Sequence, residues 1–259
     1  MNYSPGLTAV YLVLYIFVFF AGACIGSFLN VVIYRVPRQI SFTAGRSFCP
    51  ACLRQLAAGD MIPVLSRLLL HGRCRYCGAP IPRRYLLVEA LTGLLAAAAL
   101  AVYGPIWAAL AAFALIAGLV AVAFIDLDSM EIPNGLLIYL SLPALALLFL
   151  LPGVSFASHL IGFFCVSLPM FLIALLVSGA FGGGDIKLMA VCGAALGWQL
   201  ILVAFFIALL IGGVQAVQIM VTRNNGLKQQ FAFGPALAAG VALSILVGPD
   251  VVQWYAGLL

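Results

Sequence analysis

Two sets of residues in this chain have types and spacing suited to chemistry: a pair of carboxylate sites and a pair of cysteine claws. The first carboxylate site is Asp126-Leu127-Asp128, with Glu131 just beyond it; the second is Asp185, directly after Gly182-Gly183-Gly184. Both stand beside long apolar runs. An ionised Asp at membrane depth costs roughly 2.5–3.5 kcal/mol on insertion scales. A chain with only 7% charged residues does not place one there for stability. Two carboxyl groups brought close together cannot both ionise cheaply, so one keeps its proton while the other stays charged. Such a pair suits peptide hydrolysis: the carboxylate takes a proton from water, and the protonated partner hydrogen-bonds the scissile carbonyl. That chemistry requires neither a metal nor a covalent nucleophile. The glycines remove side-chain bulk and leave room for another backbone, such as a substrate's. Lys187 lies two residues beyond Asp185, cannot share its helical face, and is expected at the membrane interface. Two other readings stay open on residues alone. An acid at a helix end is often a cap, and an ion-coupled carrier could also use a paired acid.

The second set is Cys49-Pro50-Ala51-Cys52 and Cys74-Arg75-Tyr76-Cys77, a C-x₂-C…C-x₂-C array with 21 residues between the pairs. Each pair is a two-thiolate claw, and two claws complete a closed tetrahedral Zn²⁺ site. Four thiolates leave no open coordination position, so the metal would be structural and would hold together a loop too polar to fold alone. Disulfides are the competing reading, disfavoured if the loop faces a reducing compartment. Cys24, Cys165 and Cys192 stand singly in apolar runs and read as small core residues. His71 reads as a surface residue and His159 as an interfacial one.

These groups need elements to position them, and the composition says which. With 66% hydrophobic residues and a mean hydropathy of +1.23, the chain is an all-α polytopic integral membrane protein rather than a soluble domain. The net charge of +5 does not point to nucleic acid: nine of the twelve Lys and Arg lie between Arg35 and Arg84. That bias places the loop in the cytoplasm, where its arginines would also meet anionic lipid head groups. The apolar run Leu7–Ile33 exceeds a signal-peptide core and is expected to stay as an anchor. Further runs cover Tyr85–Val102, Pro105–Ile125, Gly135–Leu151, His159–Ser178, Ile186–Val221 and Phe231–Val247. Ile186–Val221 is too long for one span, and Gly197-Trp198-Gln199 reads as an interfacial turn that divides it. Division returns Arg223 and Lys228 to the side of the Arg-rich loop. The result is about eight transmembrane helices with both termini outside the cytoplasm. In this parity the Asp126 and Asp185 sites emerge on one membrane face. Three parts are expected: a first membrane helix over 1–34, the cysteine loop over 35–84, and the remaining transmembrane domain over 85–259.

Gly182-Gly183-Gly184-Asp185 fits the Gly-x-Gly-Asp signature of intramembrane aspartyl proteases. Together with Asp126-Leu127-Asp128 and Ile132-Pro133-Asn134, it resembles the bacterial type IV prepilin peptidases. The block Gly26-Ser27-Phe28-Leu29-Asn30 through Tyr34-Arg35 and the block Asp60-Met61-Ile62-Pro63-Val64-Leu65-Ser66 are similar to that family's N-terminal part. The resemblance implies an inner-membrane enzyme that cuts the leader from prepilins or pseudopilins of type IV pilus or type II secretion systems on the cytoplasmic side. It implies Asp126 and Asp185 as catalytic acids, with Asp128 the fallback for the first. It also implies N-methylation of the new amino terminus with S-adenosyl-L-methionine. No Gly-x-Gly-x-x-Gly loop marks a methyl-donor site; Glu89 and Asn30 are polar groups near the cytoplasmic interface that could line one or serve as helix-end contacts.

Overall fold

The computed structural model describes residues 5–41, 47–49, 51–104, 106–151, 154–177, 179–223 and 231–258. Within them the regular structure is helical, apart from two isolated antiparallel bridges, Phe48 with Gln55 and Arg73 with Pro80. The helices are α1 (Pro5–Arg35), α2 (Leu65–Leu69), α3 (Arg83–Tyr103), α4 (Ile106–Ser129), α5 (Asn134–Leu150), α6 (Phe156–Cys165), α7 (Ser167–Leu176), α8 (Gly183–Leu196), α9 (Trp198–Arg223) and α10 (Gly234–Ala256), with a 3₁₀ turn at Ala58–Met61. Six spans, with α6 and α7 counted as one, are long and apolar enough to cross a membrane, and the shorter apolar α5 adds to them. In lipid every backbone polar group must be satisfied within its own segment, which is why uninterrupted apolar sequence becomes helix. The protein is a helical polytopic membrane protein.

The chain separates into two compact units, residues 1–101 and 102–259. In the first, α1 and α3 touch backbone to backbone through small residues. A methyl group at Gly22 would fall 2.6 Å from the Ala96 Cβ, and one at Gly26 would fall 2.9 Å from the Glu89 Cα. Between these helices the cysteine loop forms two similar hairpin knuckles. The Cys49 amide bonds the Arg54 carbonyl at 3.0 Å and the Cys74 amide bonds that of Ala79 at 2.9 Å. Each knuckle turns on a left-handed residue, Leu53 (φ 58°) or Gly78 (φ 71°).

In the second unit α4 is the centre, with 72% of its apolar window buried. Its alanines and Gly118 let neighbours approach: a methyl at Gly118 would lie 2.5 Å from Leu140 Cδ2 on α5. Small residues at helix contacts are what membrane packing needs, because lipid removes the hydrophobic drive between helices. The tightest approach joins α6 to α8, where a methyl at Gly193 would sit 2.0 Å from the Gly162 carbonyl oxygen. Large apolar side chains such as Phe149, Leu176 and Val221 lie exposed, as a lipid-facing surface requires.

The divide between α8 and α9 falls at Gly197 (φ 80°), where the sequence predicts it. Three features differ from the sequence reading. Of the three single cysteines only Cys192 is buried, and Cys24 is exposed rather than a core residue. The predicted span His159–Ser178 is interrupted at Val166, because Pro169 has no N–H to give the Cys165 carbonyl. His159 is not interfacial but 2% exposed. Its Nδ1–H donates to the Ala194 carbonyl at 2.8 Å, satisfying one of the open carbonyls in the last turn of α8.

Candidate active site and metal centre

Asp126 sits in the last turn of α4, which continues to Ser129 rather than ending before the acid. It is 5% exposed. Its Oδ2 accepts a 2.9 Å hydrogen bond from the backbone N–H of Gly234, the first residue of α10. A carboxylate from one helix thus caps the amino end of another, where open amides and the helix dipole favour negative charge. The fit admits only glycine: a methyl at Gly234 would lie 2.6 Å from the Asp126 Oδ2.

Asp185 is the third residue of α8, since the helix already opens at Gly183, and its Oδ2 accepts from the Gly182 N–H at 3.3 Å. This local bond is one arm of a capping box. Asp126 lies within Coulombic range of Asp185. Around them the connecting segments interlock. Gly184 packs on Ile132, where a methyl would be 2.9 Å from the Ile132 Cβ. The Lys187 Nζ donates to the Asn134 Oδ1 at 3.1 Å. The Phe181 and Phe233 rings lie 6.1 Å apart. The carboxyl end of α4 and the amino ends of α5, α8 and α10 therefore meet. Asp128 and Glu131 are exposed on the same segment, and Asp128, two residues from Asp126, points from a different face of the helix.

This meeting is also a test of topology. Asp126 and Gly234 can touch only if an even number of membrane passes separates them. Counting α5, the α6–α7 pair, α8 and α9 as separate passes satisfies this, whereas one pass over Ile186–Val221 would put them at opposite ends. At 14 residues α8 is about 21 Å long, shorter than the roughly 30 Å hydrocarbon core.

Gly234 is the partner that the sequence reading missed. A signal was present: Gly234-Pro235 opening an apolar run marks a helix start with proline in its first turn. Nothing in that signal says that an acid 108 residues earlier lands on the amide.

The cysteine loop gathers Cys49, Cys52, Cys74 and Cys77, whose sulfur atoms lie within 4.8 Å of one another. Cys49 Sγ and Cys77 Sγ are 3.9 Å apart. A tetrahedral site with Zn–S bonds of about 2.3 Å has sulfur–sulfur edges of about 3.8 Å, so the four residues fit a zinc ion. The amides of Cys52 and Ala51 draw the Cys49 thiol down to about 7. The Ala79 amide also pulls Cys77 down, but burial and the neighbouring sulfurs outweigh it and hold that thiol at about 11. Crowded sulfurs of this kind give up their remaining protons to a cation. Asp60 straps the second knuckle by accepting from Arg75 Nε at 2.6 Å and from the Tyr76 hydroxyl at 3.1 Å. Arg54 of the first knuckle stacks over the Tyr76 ring at 4.8 Å.

Residues 20–103 match the bacterial peptidase A24 N-terminal domain, and residues 113–217 match the type IV leader peptidase family. A prepilin leader peptidase/N-methyltransferase of Aeromonas hydrophila is 37% identical, with 92% of both chains covered. One from Bacillus subtilis strain 168 is also 37% identical, covering 92% of this chain and 96% of the relative. A third, from Burkholderia pseudomallei strain 1026b, is 36% identical over 88% of this chain and 83% of the relative. No solved structure matches the chain. Full-length similarity at this level, over both matched domains, makes the chain a member of the type IV leader peptidase family.

Proposed function

We infer that this protein is a membrane aspartyl endopeptidase that removes the leader from type IV prepilins or pseudopilins, and that it N-methylates the amino terminus so exposed. One observation carries the peptidase reading: Asp126 and Asp185 are drawn to one end of one helical unit, each at the amino end of a helix. With one proton shared between them, the ionised carboxylate takes a proton from a water molecule as its oxygen attacks the scissile carbonyl carbon. The protonated carboxyl hydrogen-bonds the carbonyl oxygen and stabilises the charge that develops there. Collapse of the tetrahedral adduct breaks the C–N bond, and the leaving amine takes the proton held by the pair. Gly182 and Gly183, exposed beside Asp185, leave space for an extended substrate backbone.

The Arg-rich loop would face the cytoplasm by the charge rule, and the enzyme would act at the inner membrane of a bacterium, cutting its substrate on the cytoplasmic side. The amino terminus would then lie in the periplasm. Cys49, Cys52, Cys74 and Cys77 would hold one structural zinc. S-adenosyl-L-methionine, when bound, supplies a methyl group on a positively charged sulfur.

The test is cleavage of a prepilin in proteoliposomes. Asp126→Asn and Asp185→Asn should each abolish product, while Asp128→Asn keeps it. Full activity in either of the first two would remove the dyad. If the wild-type chain releases no leader but takes solute into sealed vesicles, and both acids are needed for that uptake, an ion-coupled carrier replaces the peptidase. Methylation without cleavage would leave only a methyltransferase.

A further inference from the structure

Outside the carboxylate site, the structure holds a second polar constellation, in the first unit, that neither the zinc site nor the peptidase reading uses. Asn30 on α1 is 3% exposed. Its Nδ2 donates to the Tyr85 carbonyl at 3.1 Å. Its Oδ1 is buried with no hydrogen-bond partner among the described residues. One turn along α3 from Tyr85, the Glu89 Oε2 accepts the backbone N–H of Val64 at 2.8 Å. Val64 sits at φ 62°, a conformation that a β-branched residue takes only under constraint. Three residues on, Arg67 spends one guanidinium nitrogen on the Ile81 carbonyl. The other, Nη1, is buried and, like the Asn30 Oδ1, lacks a partner among the described residues. Arg67 lies within Coulombic range of Glu89.

Buried polar atoms are nearly always paired, because an unpaired one forfeits the hydrogen bonds that water gave it. Here two are left: an acceptor on Asn30, whose amide holds the carbonyl one turn along α3 from Glu89, and a cationic donor on Arg67, within Coulombic range of Glu89. A ligand that answers all three carries an ammonium for Asn30 and Glu89 and a carboxylate for Arg67. A free α-amino acid group is such a ligand. A bare amine, such as a new peptide amino terminus, would leave the guanidinium unanswered, and a phosphate would leave the amide oxygen so.

We propose that Asn30, Arg67 and Glu89 receive the amino acid end of the methyl donor, the zwitterionic methionine portion of S-adenosylmethionine. The proposal rests on the methyl-transfer reading above and gives that activity a place in the first unit. The close contact at Gly26 matters to it, because only the absence of a side chain there lets α1 bring Asn30 against Tyr85.

The test is binding, not turnover. The full chain in detergent, with its metal, is titrated with S-adenosylhomocysteine, its decarboxylated analogue and methylthioadenosine, which lacks the amino acid end. Removing the ligand carboxylate from contact with an arginine should weaken binding about tenfold or more. Arg67→Gln should weaken S-adenosylhomocysteine by a similar factor while leaving the decarboxylated analogue and methylthioadenosine near wild type; Asn30→Leu should weaken both S-adenosylhomocysteine and the decarboxylated analogue, which keeps the ammonium, and leave methylthioadenosine near wild type. The ligand series on the wild-type chain needs no variant to fold. If the three ligands bind wild type equally, the unpaired atoms serve only ordered water and the placement is wrong. If Arg67→Gln and Asn30→Leu both bind S-adenosylhomocysteine as wild type does, the placement is again wrong. If no ligand of the series binds at all, the methyl-transfer reading itself fails.

Discussion

Replacing Gly234 by alanine tests the centre of the peptidase reading without touching either acid. The new methyl would lie 2.6 Å from the Asp126 Oδ2 and 2.9 Å from its Cγ, whereas ordinary contact begins near 3.4 Å. Asp126 must therefore retreat by about 0.8 Å, or α10 must move outward by as much. Misplacing a catalytic group by about 1 Å costs on the order of 100-fold in rate. Overpacking of this size costs about 1–3 kcal/mol of stability, offset by up to about 1 kcal/mol because alanine is the better helix former. The expected variant thus folds, binds prepilin with a KM near that of wild type, and loses between tenfold and a few hundredfold in kcat. Gly213→Ala is the control, since a methyl there meets nothing within 4 Å. The measurements are initial rates of leader release in proteoliposomes and thermal unfolding in detergent. Wild-type kcat in Gly234→Ala would refute the reasoning, because either movement breaks the hydrogen bond by which the Gly234 amide positions Asp126. An equal loss in Gly213→Ala would show that the effect is not specific to the acid.

Three further outcomes follow from particular contacts. Gly193→Ala puts a methyl 2.0 Å from the Gly162 carbonyl oxygen, backbone against backbone; with nothing flexible to yield, the α6–α8 contact should open at a cost of about 3 kcal/mol, read as a lowered unfolding temperature. If the four sulfurs hold a structural zinc, Cys49→Ser should reduce zinc from about one ion per chain to a trace by elemental analysis and make the 35–84 loop sensitive to protease. Burial alone would raise the Asp60 carboxyl, but the Ala57 amide, the Arg75 guanidinium and the Tyr76 hydroxyl outweigh it and hold it below the usual carboxylate range. A depressed folded-state value means that Asp60 stabilises fully above its unfolded value near 3.9 and loses that contribution as pH falls through the folded one. The stability gap between wild type and Asp60→Asn should therefore be wide at neutral pH and close in acid, as followed by loop proteolysis; a gap independent of pH would show that the strap is not ionic.

What was legible in the sequence was what each segment settles for itself. A backbone in lipid must close its hydrogen bonds locally, so apolar length alone located the helices, and Gly197 divided α8 from α9 where it was expected. Two Cys-x₂-Cys pairs define their own knuckles through amides at neighbouring positions. The two acids were conspicuous because charge is so costly at that depth. Pro169 was visible as well, and its missing N–H accounts for the break at Val166 that the span reading passed over. What only the tertiary structure decided lies between helices. His159 became a buried cap because α6 and α8 touch through Gly162 and Gly193, and Asp126 rather than Asp128 became the enclosed acid because the Gly234 amide faces it. Glu89 holds the Val64 amide, while Asn30 and Arg67 each keep a buried atom without a partner among the described residues. Partnerships of this kind depend on which helix faces cross and how closely, and contact among lipid-embedded helices is set by small-residue packing and interhelical hydrogen bonds rather than by hydrophobicity. Apolarity is nearly uniform along such a chain; it can say where a helix runs but not which neighbour it will meet.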